Sequence, residues 1–101
     1  MGTIRFLRME TRGHGAVAYL FRADEIEVAI VVAPSARENP YGFEYDCEIE
    51  QPPGKPIGAA GSGQTSADAW QKARIIGTSR ALLPSVSWSE LGSALLARGA
   101  L

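Results

Sequence analysis

Residues 43–50, FEYDCEIE, alternate apolar and acidic side chains without a break. The apolar members are Phe43, Tyr45, Cys47 and Ile49, and the acidic members are Glu44, Asp46, Glu48 and Glu50. An extended chain puts every second side chain on one face, whereas a helix would scatter these residues around its axis. The octet therefore predicts a strand with one buried face and one face made of carboxylates, as in an antiparallel sheet.

Four further segments predict the rest of a β-meander: Thr3 to Thr11, Ala16 to Arg22, Glu25 to Ala33 and the short edge strand Ile57 to Ala60. In the first of them the alternation breaks between Phe6 and Leu7, which indicates a β-bulge. Short links rich in glycine, proline or aspartate connect the segments and favour antiparallel pairing. The links are Arg12–Gly15, Arg22–Asp24, Asn39–Gly42 and Gln51–Pro56.

The second half of the chain predicts two helices. Thr65 and Asp68 form a capping box, and the helix that they begin should run to about Leu83, before Pro84. Ser87 and Glu90 open a second helix, with an apolar stripe of Trp88, Leu91, Leu95 and Leu96 and a C-terminal Gly99. We therefore predict a single α+β domain over residues 1–101, an antiparallel β-meander of four to five strands followed by two C-terminal helices packed on one face.

The composition excludes several classes of function. The net charge of −1 and the pI near 5.8 argue against a dedicated nucleic-acid binder. One cysteine and one histidine leave no disulfide, thiolate metal site or multi-histidine site, so no cofactor or metal is expected. The N-terminal stretch lacks the apolar core of a secretory signal, and no run reaches the ~20 apolar residues of a membrane span. These features predict a soluble, cytoplasmic protein.

The stretch GAAGSGQT at residues 58–65 resembles a phosphate-binding loop in which Gln64 replaces the lysine. Without that lysine, and without a buried parallel strand before it, we expect no nucleotide site. Gly61 and Gly63 are instead expected to let the chain turn into the helix that Thr65 caps. The alternative is a small enzyme or ligand-binding domain that uses backbone N–H groups at this helix N-terminus.

Other candidate residues have structural interpretations. His14 lies between two glycines and is expected in an exposed turn, and Cys47 is expected in the core. Ile75 and Leu82 lie nearly opposite the apolar face of the first helix. They are either covered by the C-terminal helix or form a partner surface.

The acidic side chains of residues 44–50 are the strongest functional feature. They follow one another at two-residue steps, roughly 6.5–7 Å apart, and Glu25 and Glu27 extend the patch if their strand lies next to this one. Carboxylates in a line diverge, which disfavours a metal site. Two interpretations remain: compensation within the sheet by Arg5, Arg8, Arg12 or Arg22, or a basic partner.

Three parts of the chain resemble a group of small uncharacterised bacterial domains: Ile26 to Pro34, Tyr45-Asp46-Cys47-Glu48-Ile49, and Gly61 with Asp68-Ala69-Trp70-Gln71-Lys72-Ala73. In that group a β-meander with a strand cysteine precedes a helix that opens with an Asp-Ala-x-Gln signature. The resemblance covers about the middle half of the chain and implies the same order of elements. It brings no activity, catalytic residue or cofactor, and Trp70 and the extra C-terminal helix depart from the group's pattern.

Together these features predict a small non-enzymatic protein-binding module with no catalytic residues. Its most concrete form is an immunity or antitoxin-type inhibitor whose acidic strand face neutralises a basic protein, such as a toxin nuclease. The expected partner-binding residues are Glu44, Asp46, Glu48, Glu50, Glu25 and Glu27.

Overall fold

The chain folds into a five-stranded antiparallel sheet followed by two helices, as seen in a computed structural model that describes residues 3–35 and 42–101. The strand order β1-β2-β3-β4-β5 follows the sequence, so each strand pairs with its predecessor. The α+β prediction is confirmed, while the predicted turn at Asn39–Gly42 lies mostly outside the described residues. The elements are β1 (Ile4–Thr11), β2 (Val17–Ala23), β3 (Ile26–Pro34), β4 (Tyr45–Glu50), β5 (Pro56–Gly63), α1 (Ser66–Ser79) and α2 (Trp88–Ala97), with a short 3₁₀ turn at Gly13–Gly15.

Strand pairing follows the hydrophobic alternation. The register of β1 against β2 shifts between Phe6 and Arg8, which confirms the bulge predicted at this point. The last strand is longer than expected, because it continues past Ala60 to Gly63 and includes most of the glycine-rich stretch. A second register shift, between Glu48 and Glu50, lies where Gly58 takes a positive φ of 86°.

One face of the sheet, here called the inner face, carries both helices and the main core. Phe21, Ile30 and Ile49 are fully buried there beneath helix residues such as Ala73 and Leu91. The helix α1 lies over β5 and β4, and α2 reaches towards β1. Because the inner-facing side chains are the apolar members of each alternation, the sequence pattern selects the face on which the helices pack.

The two helices interlock through tryptophan and glycine. A Cβ at Gly77 of α1 would lie 2.5 Å from the Trp88 ring, and one at Gly92 of α2 would lie 3.1 Å from Nε1 of Trp70. Because each of these glycines has no side chain, the indole of the other helix packs directly against the helix backbone at that position. The two rings also contact each other, with centroids 6.0 Å apart.

The opposite sheet face, here called the outer face, has a small cluster of its own. Ala18, Leu20 and Ala29 are almost completely buried, with Leu7 and Val31 packed beside them. Longer charged side chains flank the cluster on the same face, among them Arg8, Glu10 and Glu48. Their aliphatic stems can shield small apolar neighbours without a covering helix.

Both helices begin as predicted. Thr65 accepts a hydrogen bond from the Asp68 N–H at 3.1 Å, and Ser87 accepts one from the Glu90 N–H at 3.2 Å. The helix α2 ends in a Schellman motif, in which the Ala100 N–H donates to the Leu95 carbonyl and Gly99 has φ 72°. The predicted C-terminal glycine is confirmed.

The end of α1 differs from the prediction. It stops at Ser79 rather than near Leu83, also in a Schellman motif, because the Leu82 N–H donates to the Gly77 carbonyl at 2.8 Å. Ala81 occupies the left-handed position of this motif, with φ 54°, where glycine is usual. The sequence gives no glycine signal at this helix end.

One expectation about an apolar side chain is wrong: Leu96 does not belong to the buried stripe of α2 and is 65% exposed. Of the two alternatives for Ile75 and Leu82, cover by the C-terminal helix does not hold for Ile75, which is 64% exposed, whereas Leu82 packs against the core. Trp70, rather than Ile75, fills the space between the helices.

We predict that Ala81→Gly stabilises the protein. A Cβ in the left-handed region costs roughly 1–2 kcal/mol, and part of that gain is offset by the greater freedom of glycine in the unfolded chain. Urea denaturation should therefore show a free energy of unfolding raised by about 0.5–1 kcal/mol.

The matched control is Ala67→Gly in the first turn of α1, where the backbone is helical. This change should lower the free energy of unfolding by about 0.5–1 kcal/mol. Equal destabilisation by both substitutions would show that Ala81 is not strained.

Candidate protein-binding face

The strand β4 separates apolar from acidic side chains as its alternation predicts. Cys47 and Ile49 are 1% and 0% exposed on the inner face. Asp46, Glu48 and Glu50 lie on the outer face, opposite Ala33, Val31 and Ala29 of β3. Glu44 comes just before the strand and is exposed.

Glu50 is held inside the protein and does not belong to the exposed acidic patch. It is 6% exposed, and Arg12 Nη1 donates a hydrogen bond to its Oε2 at 3.1 Å. The ion pair is completed by Arg12 Nη2, 3.0 Å from Oε1, and the Gly54 N–H donates a further hydrogen bond to Oε1 at 2.8 Å. The expectation that Glu50 stands exposed beside the other acids is therefore corrected, because its carboxylate binds an arginine and a backbone N–H of the same chain.

The surroundings of Glu50 also change its protonation. Burial opposes ionisation, but the hydrogen bonds from Arg12 and Gly54 and the charge of Arg12 outweigh it, so the pKa of Glu50 is lowered. The same hydrogen bond raises the pKa of Arg12. This contact joins the end of β1 to the end of β4, with β2 and β3 between them in the sheet order.

The other acids of the strand have fewer contacts within the protein than Glu50. Asp46 accepts a hydrogen bond from the Ser62 hydroxyl at 2.6 Å, so one of its oxygens is engaged with β5. Among the residues that the structure describes, no ion pair reaches Glu44 or Glu48. The cross-strand neighbours of Glu48 are Val31 and Ala60, whose small side chains leave its carboxylate open to solvent.

The strand β3 lies next to β4, as the extension of the acidic patch requires. Glu27 is on the outer face of β3, two residues from Ala29, and its partner on β2 is Arg22. Glu25 is exposed in the turn between β2 and β3. We define the acidic face by Glu44, Asp46 and Glu48, because Glu27 and Glu25 lie beyond the neutralised Glu50, towards the turn between β2 and β3.

Three arginines of the outer face lie towards its β1 edge, away from β4. Arg5 and Arg8 are on β1, and Arg22 is on β2. Arg8 is paired with Glu10, at 2.9 Å, and not with a carboxylate of β4. Among the acids of β4 in the described part of the chain, Glu50 is thus the only one whose charge is compensated by an ion pair with an arginine of the same chain.

The glycine-rich stretch packs against a helix rather than forming an open loop. A Cβ at Gly61 would lie 2.6 Å from the Ala69 carbonyl oxygen, and one at Gly63 would lie 2.5 Å from the Asp68 Cβ. Both glycines belong to β5, and only Gln64 and Thr65 separate that strand from α1. The turn is therefore limited to Gln64 and Thr65 and does not include the two glycines, as had been predicted. Gly61 and Gly63 instead bring β5 and α1 into backbone contact.

A shallow hollow of about 330 Å³ lies beside the N-terminus of α1. It is lined by Gln64, Asp68 and Lys72, among others, and the opposite charges of Asp68 and Lys72 leave it no net charge to attract an anion. Across residues 3–35 and 42–101, no three histidine, cysteine or acidic side chains converge as a metal site.

The remaining candidate residues have structural roles. Cys47 is a core residue, as predicted, and burial together with the nearby charge of Glu48 raises the pKa of its thiol to about 12. A thiol in that state is a poor nucleophile. His14 is exposed in the turn after β1, where its backbone has a φ of 62°.

Comparison with known proteins found no matching family model, no similar curated protein and no similar solved structure. The resemblance to small bacterial domains therefore stays a prediction. Neither helix in the described part of the chain is both long and apolar enough to cross a membrane.

We predict that the Arg12–Glu50 contact makes stability depend on acid pH. Since folding lowers the pKa of Glu50 from its ordinary value near 4.5, the contribution is complete above that value and is lost as pH falls through the folded-state pKa. Glu50→Gln should cost about 1–3 kcal/mol at neutral pH and reduce the loss of stability in acid. Urea denaturation at a series of pH values measures both effects.

The control for this experiment is Glu48→Gln, which should change the neutral-pH stability by no more than about 0.5 kcal/mol. Equal stability of Glu50→Gln and the parent at neutral pH would contradict the internal role of Glu50.

We also predict that Gly61→Ala destabilises the protein, because the added methyl group must displace α1 from β5. The expected cost is about 1–3 kcal/mol, the usual range for overpacking, and thermal or urea denaturation measures it. Gly13→Ala is the control, since a Cβ at Gly13 meets no atom within 4 Å and its φ is not positive. A neutral Gly61→Ala would show that the glycine is not needed for packing.

Proposed function

We propose that this protein is a non-enzymatic binding module that holds a basic protein partner on its acidic face. The observation that carries the proposal is the setting of Glu48. Its carboxylate is exposed, stands between Val31 and Ala60, and has no ion pair with any described residue. A lysine or arginine of a partner could approach it without displacing an internal contact.

The neighbouring acids support the same proposal, that a basic partner binds here. Glu44 is exposed next to β4, and Asp46 keeps one oxygen beyond its hydrogen bond with Ser62. Strand geometry sets these carboxylates roughly 6.5–7 Å apart. Like charges at that spacing repel one another, and a row of basic groups on a partner would relieve the repulsion.

A protein partner suits this surface better than a small ligand does. The acidic face lies on the open side of a sheet, where carboxylates stand side by side and do not converge on a single point. A flat charged surface of this kind favours long-range attraction and fast association with an extended basic surface.

The most concrete form of the proposal is an immunity or antitoxin-type inhibitor. A toxin nuclease has a basic substrate-binding surface because it must attract phosphates. An acidic sheet face can cover such a surface and exclude the nucleic acid, and it needs no catalytic groups to do so.

Co-purification from the native host, followed by mass spectrometry, tests the class of function. The proposal expects a basic protein in a stoichiometric complex that dissociates at high salt. A retained small molecule without a protein partner would support the ligand-binding alternative instead.

The double substitution Glu44→Gln, Glu48→Gln should slow association with that partner while leaving folding intact. Exposed charges contribute only ~0–1 kcal/mol each to stability, so the melting temperature should hardly change. Electrostatic steering accounts for factors of about 10 to 1,000 in association rate, with the largest effect at low ionic strength. Stopped-flow kinetics at several salt concentrations measures the change.

The single substitutions Glu44→Gln and Glu48→Gln are each compared with Glu90→Gln on α2. This control removes the same charge from the helix side of the molecule. It should leave the association rate near that of the parent. An equal slowing by Glu90→Gln and Glu48→Gln would mean that net charge, rather than the acidic face, governs binding.

A further inference from the structure

The two helices leave an apolar surface uncovered on the side of the molecule that faces away from the sheet. Ile75 of α1 and Leu96 of α2 are both exposed there. A hollow of about 500 Å³ lies beside Ile75, and one of about 480 Å³ lies beside Leu96. Gln71 and Arg74 line both hollows, so the two form one continuous surface. We call this surface the helical groove.

The helical groove is long and open. Along α1 its lining runs from Ala67 to Ser79, which is about 18 Å at a rise of 1.5 Å per residue. On the other side it is bordered by residues of α2, from Ser89 to Leu96. Such a surface accommodates about three turns of a further helix laid along it. A small molecule would find too little enclosure, since small-molecule sites bury most of the ligand.

The floor of the groove contains a hydrogen-bond donor that has no acceptor. Trp70 is 3% exposed, and its indole N–H donates to no residue in the described part of the chain. No described side chain has a polar atom that is both unpartnered and sealed from solvent, so the exposed part of Trp70 includes Nε1. Trp70 and Gly92 line the groove together, and a Cβ at Gly92 would lie 3.1 Å from Nε1. The indole N–H therefore opens into the groove, where an occupant must supply an acceptor.

The charge of the groove is positive. Among the described residues that line it, Arg74 has the only charged side chain, and no described carboxylate pairs with it. Arg74 Nη2 lies 3.4 Å from the Ser89 hydroxyl oxygen, a long contact that leaves most of the guanidinium free. The other polar groups of the lining include Gln71 and Ser93, which are uncharged. This set of donors around a cation is complementary to a carboxylate.

We propose that the helical groove binds an acidic amphipathic helix of another protein. Apolar side chains spaced three or four residues apart on that helix contact Ile75 and Leu96. A carboxylate between them accepts hydrogen bonds from Arg74, which lies near the middle of the groove. A second oxygen of the partner accepts the hydrogen bond of the Trp70 N–H.

This site is separate from the acidic face and does not rest on the function proposed for it. The groove lies on the helices that cover the inner face of the sheet, whereas Asp46 and Glu48 lie on the outer face. The two surfaces have opposite charges and select opposite partners, an acidic helix in one case and a basic protein in the other. Loss of either interaction therefore leaves the other to be tested by itself.

Selection from a phage-displayed library of amphipathic helical peptides tests the proposal. Each peptide has leucines along one face and either glutamate or lysine at the neighbouring positions, so both signs of charge compete for the parent chain. Glutamate-rich peptides should be selected and should bind Arg74→Glu at least tenfold more weakly, because like charges then face each other. Lys72→Glu makes the same charge change on α1 outside the groove and should leave their affinity unchanged. Lysine-rich peptides that depend on Glu48 would instead report the acidic face.

Substitutions of the exposed apolar residues test the other half of the contact. Ile75→Ser and Leu96→Ser should each weaken the selected glutamate-rich peptide by roughly tenfold, because each removes an apolar contact with it. Both side chains are exposed in the free protein, so folding should be retained, as circular dichroism can check. Met9→Ser is the control, since it makes a similar change at an exposed apolar residue of β1 and should have no effect.

Nuclear magnetic resonance of the indole N–H groups locates the peptide. The chain has two tryptophans, and the spectrum of Trp88→Phe identifies the signal of Trp70. Titration with the selected glutamate-rich peptide should move the Trp70 signal downfield, because its N–H acquires an acceptor.

Three results overturn the proposal. The first is a selection that yields no glutamate-rich peptide, or one that binds Arg74→Glu as tightly as the parent. The second is a Trp70 signal that stays in place when such a peptide binds. The third is a dimer of the parent chain, seen by sedimentation equilibrium, that dissociates on Ile75→Ser, because a second copy would then occupy the groove.

Discussion

Backbone contact between α1 and β5 is the constraint on which the rest of the molecule depends. Gly61 and Gly63 have no side chain to separate the strand from the helix, so α1 lies directly on the edge of the sheet. At that distance the alanines Ala69 and Ala73 fill the space beneath the helix. Trp70 is then free to extend sideways towards α2, where Gly92 receives it. One glycine pair thus sets the height of α1 and the position of the second helix.

With both helices on the inner face, the outer face is left to side chains alone. Its centre consists of small residues such as Ala18 and Ala29, and long charged residues surround them. Arg12 and Glu50 connect the first strand to the fourth on this side. The same sheet therefore has one face that packs against the helices and one whose remaining carboxylates, around Glu48, are open to solvent.

Much of this fold follows from local patterns in the sequence. The alternation of residues 43–50, the bulge after Phe6 and the caps at Thr65 and Ser87 were all predictable, because each depends on neighbouring residues. The early end of α1 was not predictable, because Ala81 adopts the left-handed conformation at a position that glycine usually occupies. Periodicity also predicted that Leu96 is buried, but it is exposed. The side of α2 that faces α1 is set by the tryptophan–glycine contacts, which periodicity does not reveal.

The candidate site shows the same limit. The alternation predicts that Glu50 shares a face with Glu48, and it does. Which of the two is neutralised depends on where the turn at Gly54 and the end of β1 meet in space. Four arginines were plausible partners by sequence, and only the three-dimensional arrangement selects Arg12.

Carboxyl labelling with carbodiimide and an amine, read by mass spectrometry, tests the central claim most directly. In the free protein, Glu44 and Glu48 should be modified readily, while Glu50 should resist because Arg12 and Gly54 hold its carboxylate. In the complex with the native basic partner, Glu44 and Glu48 should become protected and Glu90 should not. Equal labelling of Glu50 and Glu48 in the free protein, or protection of Glu90 with Glu48 still reactive in the complex, would contradict the account.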